Sequence, residues 1–368
     1  MAVPTQKRQA NMEALRIAAM FMVVILHYLS DSGALPESGR GLDGISAFAV
    51  TLESLCIVAV NAYVLLSGYF LSMTAFRWRR LLRLLLQVLF YTLLIPPALA
   101  ALGLIPASEL TDVYHIWNSV FPVQSGQYWF VTAYVILFLF SPLLNAALEK
   151  LEQRRLGGAI LGLLVFFCFG KSVSVLQFST DRYGYDFGWF LCLYLIGGYW
   201  RRYGIPFLSG KGRGLLVYLG SSAGIAGMEL ILTRLSAGIP QLSYYASVPF
   251  HYNFILCLTG AMGLFAAFLH TDVPEGKTAD LIRAISPAIF GVYLIHQQAD
   301  VQGKWLSWAD ELTGRIGLGQ LWRDGMAAGT VPRFALCLLV QTLLVFWFCI
   351  ALDRIRSLLF LGKRRKRP

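Results

Sequence analysis

The chain has 368 residues, of which 57% are hydrophobic and only 14% are charged, and its mean hydropathy is +0.61. Soluble domains usually carry about 25% charged residues, so a water-soluble globular fold could not cover this much apolar surface and is excluded. The formal net charge of +11 does not indicate nucleic-acid binding, because the Lys and Arg residues form short clusters between apolar runs.

Ten apolar runs are long enough to cross a bilayer, since a transmembrane helix needs about 20 mostly apolar residues. The sequence therefore predicts an all-α integral membrane protein, a bundle of about ten transmembrane helices in a single membrane domain of residues 1–368 with a basic tail at 353–368. The predicted spans are Asn11–Leu29, Ile45–Leu71, Leu81–Leu104, Tyr128–Leu148, Leu156–Val175, Phe187–Tyr203, Leu215–Leu235, Phe250–His270, Ile285–Asp300 and Pro332–Leu352.

The charges between these runs predict the orientation of the bundle. With the N-terminus inside, 22 of the 31 Lys and Arg residues fall on the cytoplasmic side and eight on the opposite side. This bias follows the positive-inside rule and an even number of spans, so both termini are expected in the cytoplasm. The six cysteines lie inside apolar runs without CxxC spacing, so neither a disulfide nor a metal site is expected from them.

The first span carries two ionisable residues, Arg16 and His27. An ionisable residue inside a bilayer is costly and marks a functional candidate. The two are eleven residues apart, which places them on one helix face about 16 Å apart along the axis, with Glu13 on roughly the same face. Alternatively, Arg16 extends to the inner surface and His27 hydrogen-bonds a neighbouring helix.

The second span places Glu53 at about the depth of His27. A carboxylate beside an imidazole would fix its tautomer and raise its basicity, although Glu53 could equally be an ordinary interfacial residue. Near the inner end stands the tripeptide Ser67, Gly68 and Tyr69, where small residues allow close approach of a helix or a ligand.

A dense basic cluster follows, made of Arg77, Arg79, Arg80 and Arg83. It anchors the topology, and its guanidinium groups could also clamp phosphates.

Further along, aromatic and imidazole side chains mark the outer half of the bundle. Tyr128, Trp129 and Tyr134 are typical of an aromatic belt at the membrane interface, but they could equally stack on a sugar. His296 ends the predicted ninth span and is interpreted as either structural or part of an acceptor site.

Together these motifs resemble the acyltransferase-3 family of membrane O-acyltransferases. The resemblance extends from Asn11 to the last span, and its most specific feature is the pair Arg16 and His27 with ten residues between them. The segment SGYF and the run RWRRLLR follow in the order and spacing of that family. The sequence departs from the family at Ala62 and Tyr63, where members often carry two aromatic residues.

The resemblance implies a bacterial enzyme of the inner (plasma) membrane that moves an acyl group, expected to be acetyl, from cytoplasmic acyl-CoA to a hydroxyl of a cell-surface saccharide or related acceptor. The co-substrate would be acetyl-CoA, with no metal. His27 would be the catalytic histidine, assisted by Glu53 and partnered by Arg16. The donor would lie at Arg16, Ser67, Gly68, Tyr69, Arg77, Arg79, Arg80 and Arg83, and the acceptor at Tyr128, Trp129, Tyr134 and His296.

Two other classes of protein fit the same features. In a secondary transporter of a small polar metabolite, Arg16, Glu53 and His27 could form a proton relay, although the two halves show no corresponding pair of Gly- or Pro-broken helices. A non-catalytic sensor, or the membrane half of a split racemase, is the third interpretation.

Overall fold

The computed structural model describes residues 9–36, 42–173, 182–316 and 330–361. Within these ranges the chain forms helices and no β-strand, which confirms the predicted all-α fold. The helices are α1 (Ala10–Ser32), α2 (Gly44–Cys56), α3 (Ala59–Leu71), α4 (Trp78–Ala101), α5 (Val113–Val120), α6 (Trp129–Lys150), α7 (Gln153–Leu164), α8 (Gly170–Val173), α9 (Phe187–Tyr203), α10 (Lys211–Ser236), α11 (Ser243–Ser247), α12 (Ile255–Leu269), α13 (Lys277–Ile285), α14 (Ile289–His296), α15 (Trp305–Gly314) and α16 (Val331–Leu361).

In the described part of the chain, nine helical segments are long and apolar enough to cross a membrane. The remaining predicted span is α9, whose 17 residues rise about 25 Å, which is at the short end for a transmembrane helix. Most of its side chains are buried among its neighbours, so it lies inside the bundle. Residues 174–175 of the predicted fifth span and 362–368 of the basic tail lie outside the described residues.

Two spans differ from their predicted form. The second is broken at residues 57–58, so that α2 and α3 replace one continuous helix. Asn61 stabilises this region, because its amide donates to the carbonyl of Tyr252 (2.7 Å) and accepts from the indole N–H of Trp189 (2.9 Å). The ninth span begins earlier than predicted, at Lys277, and is bent at the 3₁₀ turn Ser286–Ala288 before it ends at His296.

Glycines set the closest helix contacts. A Cβ atom on Gly68 of α3 would collide with the backbone of Tyr194 on α9, and one on Gly197 would collide with the carbonyl of Leu65. The pair α10 and α12 is equally tight, because a Cβ on Gly263 would lie 2.5 Å from the backbone nitrogen of Tyr218. Such small-residue contacts bring two backbones together where lipid supplies no hydrophobic driving force between helices.

Helix α1 lies at the centre of the bundle, packed against α2, α3, α12, α13, α14 and α16. The last helix is fixed to the others by one buried carboxylate. Asp353 is 1% exposed and accepts hydrogen bonds from Gln87 (3.0 Å), Tyr91 (2.7 Å) and Arg356 (2.9 Å). It therefore joins α16 to α4 with a fully satisfied charge, as a polar group at membrane depth must be.

Candidate functional site

A cavity of about 400 Å³ lies against one face of α1, and this volume is typical of small-molecule sites. Its walls come from α1, α3, α4, α6, the segment before α12 and the α13–α14 segment. The polar groups on it are few, so each of them is a candidate for chemistry. The lining residues are Arg16, Met20, Val23, Leu26, His27, Val60, Tyr63, Leu66, Ser67, Leu84, Trp129, Phe130, Tyr134, Tyr252, Ser286, Ile289, Phe290 and Tyr293.

The helical period of α1 explains why Arg16 and His27 share this cavity. Arg16, Met20, Val23 and His27 follow one another at intervals of four, three and four residues, which is one stripe of an α-helix. The eleven residues between Arg16 and His27 correspond to about 16 Å along the axis. The cavity therefore has a guanidinium towards one end and an imidazole towards the other, as the sequence predicts.

His27 forms a hydrogen-bonded pair with His296 of α14. Its Nδ1 lies 2.8 Å from Nε2 of His296, whose own Nδ1 lies 2.6 Å from the carbonyl oxygen of Val292. The carbonyl can only accept, so Nδ1 of His296 carries a proton and, with both rings neutral, its Nε2 accepts the Nδ1–H of His27. Nε2 of His27 then keeps its lone pair, which is the requirement for a base or a nucleophile.

Arg16 is held by a buried carboxylate one turn away. Glu13 is 3% exposed; one of its oxygens pairs with Nη1 of Arg16 and the other accepts the hydroxyl of Ser286. The Arg16 side chain remains 31% exposed, on the cavity, and the hydroxyl of Tyr63 donates to its backbone carbonyl. Because Glu13 offsets its charge, Arg16 offers a ligand directed hydrogen bonds more than net positive charge.

The basic cluster lies beside the cavity and not in it. Arg77 precedes α4, and Arg79, Arg80 and Arg83 lie in its first turns; none of the four lines the cavity, while Leu84 does. Arg80 lies one helical turn before Leu84 and on the same face, whereas Arg79 points about 140° away from Leu84. Nη1 of Arg80 donates to the hydroxyl of Thr74 (3.0 Å), which orients this side chain.

The tripeptide near the inner end of α3 divides among three environments. Ser67 lines the cavity, and its hydroxyl lies 3.4 Å from that of Tyr134. Gly68 lies in the close contact with Tyr194 of α9 and has no room for a ligand. Tyr69 faces the other way, where its hydroxyl accepts from Arg201 (3.2 Å) and its ring packs on Phe265. Of the three predicted donor-site residues, the structure places only Ser67 on the cavity.

The aromatic residues predicted for the acceptor side also separate. Trp129 and Tyr134 line the cavity, and Trp129 stacks on Tyr252 with ring centroids 5.8 Å apart. Tyr128 is 1% exposed and lies behind them, where its hydroxyl donates to the carbonyl of Leu294 (2.8 Å). His296 is equally buried at 1% exposure and contacts His27 instead of lining the cavity.

Glu53 does not meet His27. The predicted pairing is absent because α2 turns this residue towards α10, where its carboxylate interacts with that of Glu229. Its Oε2 atom is buried and has no hydrogen-bond partner in the described part of the chain, and the residue does not line the cavity. The place that the sequence interpretation gave to Glu53 is taken by His296.

Several contacts and residues at the site escape the sequence interpretation. Glu13 lies at the i−3 position from Arg16, so the usual spacing of helical ion pairs could have indicated the contact. No local signal indicates Ser286, since it lies in the turn between α13 and α14 and reaches Glu13 across 273 positions. Tyr252 and Tyr293 come from aromatic-rich segments in which nothing distinguishes them from ordinary core residues.

Comparison with known proteins gives one family. The family described as an acyltransferase domain, acyltransferase-3, matches residues 9–349. No curated protein and no solved structure shows a match to the chain. The matched residues include every helix that lines the cavity, and they make up more than nine tenths of the sequence. The chain therefore belongs to the acyltransferase-3 family of membrane acyltransferases.

Proposed function

We propose that this membrane acyltransferase transfers an acyl group, acetyl being the expected one, from cytoplasmic acyl-CoA to a hydroxyl of a cell-surface saccharide or a related acceptor. One observation carries the proposal: the cavity joins an anchored arginine to a histidine whose Nε2 atom has no hydrogen-bond partner among the described residues. A cavity with these two groups at its ends suits a long, thin thioester with an anionic head.

The donor side is proposed at the Arg16 end. A cavity of about 400 Å³ is at the small end for ligand sites, so it would hold an acyl–pantetheine arm while the nucleotide stays outside. The phosphates would then lie near Arg16, Arg77 and Arg80, because guanidinium groups bind phosphate through paired hydrogen bonds. The mostly apolar wall suits the acyl arm, and Ser67 adds one hydroxyl to it.

The proposed reaction needs only one proton carrier. Nε2 of His27 takes the proton of the acceptor hydroxyl as its oxygen attacks the thioester carbonyl. The carbon–sulfur bond then breaks, and the proton passes from His27 to the departing thiolate, which leaves an ester and a free thiol. While His27 is charged, its Nδ1–H remains bonded to His296, so the ring keeps its orientation throughout.

The acceptor side is proposed at the His27 end, beside Trp129, Tyr134 and Tyr252. Aromatic faces suit the apolar faces of sugar rings. The loop charges support an orientation with both termini in the cytoplasm of a bacterial inner membrane, which places the acceptor on the far side from the donor. The acyl group, and not the whole co-substrate, would then cross the bilayer through the bundle.

Purified full-length protein in liposomes can test the proposal. With deuterium-labelled acetyl-CoA on the cytoplasmic side, free thiol should appear only when a saccharide acceptor is present, and mass spectrometry should find the label as an ester on that acceptor. Surface glycans from cells with and without the protein identify the acceptor to use. A protein that binds no acyl-CoA and changes no glycan would disprove the proposal.

A further inference from the structure

A second polar cluster lies outside the cavity, beyond the C-terminal end of α14. It joins Glu109 of the 3₁₀ turn Ala107–Thr111, His115 of α5 and Asp300, which follows α14 by four residues. One ligand atom from each of the three lies within 4.8 Å of the other two. The described ranges hold no other group of three such side chains.

The cluster is ordered by contacts around it. Nε2 of His115 lies 3.1 Å from both carboxylate oxygens of Asp300, and Asp112 caps α5 by accepting from the backbone N–H of His115 (2.7 Å). Gln298 is 1% exposed; its amide N–H donates to Asp300 (3.0 Å), and its amide oxygen accepts the backbone N–H of Asp300 (2.7 Å). Such outer hydrogen bonds orient the carboxylate of a metal site.

The charges of the cluster call for a cation. Asp300 is 7% exposed and His115 is 21% exposed, so two carboxylates approach each other in a partly buried place. Among the described residues, neither Glu109 nor Asp300 forms an ion pair with a lysine or an arginine. Like charges at this distance destabilise each other unless a positive charge lies between them.

The spacing matches the coordination of a small divalent ion. Imidazole nitrogens and carboxylate oxygens bind zinc at about 2.0–2.2 Å, so the ligands around a tetrahedral ion lie about 3.3–3.6 Å apart. The separation of 3.1 Å between His115 and Asp300 lies just below this range, and all three ligand atoms lie within 4.8 Å of one another. One imidazole with two carboxylates suits zinc better than calcium or magnesium, which prefer oxygen ligands alone and in larger number.

We propose that Glu109, His115 and Asp300 form a zinc site that connects the segment between α4 and α6 to the segment after α14. The inference does not depend on the proposed acyl transfer. The bound ion would connect α5 to the chain four residues beyond His296. It would therefore restrain the C-terminal end of α14, where His296 bonds His27. Three protein ligands leave the fourth position of a tetrahedral ion open to water.

Zinc titration of the full-length protein in detergent, purified with a tag that contains no histidine and stripped with EDTA, tests the site. Isothermal titration calorimetry should show one Zn²⁺ per chain, bound at least tenfold more tightly than Mg²⁺ or Ca²⁺, and thermal unfolding should move to a higher temperature. Glu109→Gln breaks no described side-chain hydrogen bond and should weaken zinc binding by at least about tenfold, since even outer partners of a metal site cost about 10–100-fold.

His115→Ala should abolish the thermal shift caused by zinc, and each variant is compared with itself with and without the ion, so that a lower starting stability does not affect the result. His270→Ala is the matched control, because His270 is an exposed histidine outside the cluster, and it should keep the full shift. Equal stabilisation of the wild type and of both cluster variants would overturn the proposal, as would the absence of zinc binding by the wild type, or calcium binding as tight as zinc binding.

Discussion

Two helix contacts in this molecule join distant parts of the chain in opposite ways. Between α1 and α14 the contact is polar and directional: His27 bonds His296, and near the α13–α14 turn Glu13 bonds both Arg16 and Ser286. Between α3 and α9 the contact is close and apolar, set by Gly68 and Gly197. The first contact fixes where protons and charges lie, and the second fixes only how far apart two backbones are.

The two contacts show that adjacent residues of one motif can have different functions. Ser67 lines the cavity, while its neighbour Gly68 lies against the backbone of Tyr194. A helix turns by 100° per residue, so a tripeptide in a transmembrane helix cannot present all its side chains to one ligand. Substitutions at the polar contact between α1 and α14 should therefore change the rate of acyl transfer and leave the unfolding temperature unchanged. Substitutions at the glycine contact between α3 and α9 should lower the unfolding temperature and leave the rate of the folded protein unchanged.

The largest effect is expected from His27→Ala. Removing the proposed base should lower the rate of acyl transfer by about 10²–10⁴-fold, with little change in the yield of folded protein, because His27 partly faces a cavity. The measurement is ester formation on the acceptor, with abundance in the membrane followed by immunoblot. Normal transfer by this variant at normal abundance would remove His27 from the mechanism.

His296 offers the next largest effect and separates positioning from packing. His296→Leu removes the acceptor for Nδ1–H of His27 and should lower kcat by about 10²-fold, the lower end of the range for proton-transfer residues. It should also displace the pH profile of kcat. His296→Gln keeps an acceptor oxygen and should recover part of the rate and the original profile.

If His296→Leu and His296→Gln lower kcat equally and leave the pH profile unchanged, His296 serves packing alone. The matched variant for helix integrity is Tyr128→Phe, which removes the hydrogen bond from the residue before α6 to the carbonyl of Leu294 on α14 without touching either imidazole. It should lower the unfolding temperature and leave the pH profile in place.

The glycine contact should respond in stability instead. Gly68→Ala places a methyl group against the carbonyl of Tyr194, and over-packing of this kind costs about 1–3 kcal/mol. Thermal unfolding in detergent should show a lower transition temperature. Gly220→Ala is the control, because open space surrounds that position on α10, and it should be neutral or slightly stabilising. A weaker donor affinity with unchanged unfolding would show that Gly68 contacts the donor after all.

Periodicity and charge were sufficient for much of this architecture. The number of spans, the shared face of Arg16 and His27 and the burial of the cysteines follow from local pattern, because they depend on one helix at a time. The early start of the ninth span at Lys277 does not follow from an apolar run, because its first turns carry Lys277, Asp280 and Arg283.

The sequence does not predict which helices contact each other within the bundle. Glu53 was expected beside His27 because both lie at similar depth, but depth does not determine which helix faces which. The actual partner of His27 is 269 positions away, and Asp353 reaches Gln87 and Tyr91 across similar separations. Contacts of this kind depend on how the whole bundle packs, and a single sequence contains no direct record of it.

The smallest effect is expected in the basic cluster near the Arg16 end of the cavity. Glu13 offsets the charge of Arg16, so the phosphates of the proposed donor would require a second cation, and Arg80 lies on the same face of α4 as Leu84. Arg80→Ala should raise KM for acyl-CoA about fivefold, which corresponds to about 1 kcal/mol for an exposed ion pair, while kcat stays the same. Arg79→Ala removes an equal charge that lies about 100° around the helix from Arg80, further from Leu84, and should change KM much less. If both variants raise KM equally, the cluster acts through its overall field and not through a bound phosphate, and the loss of that effect at high salt would confirm it.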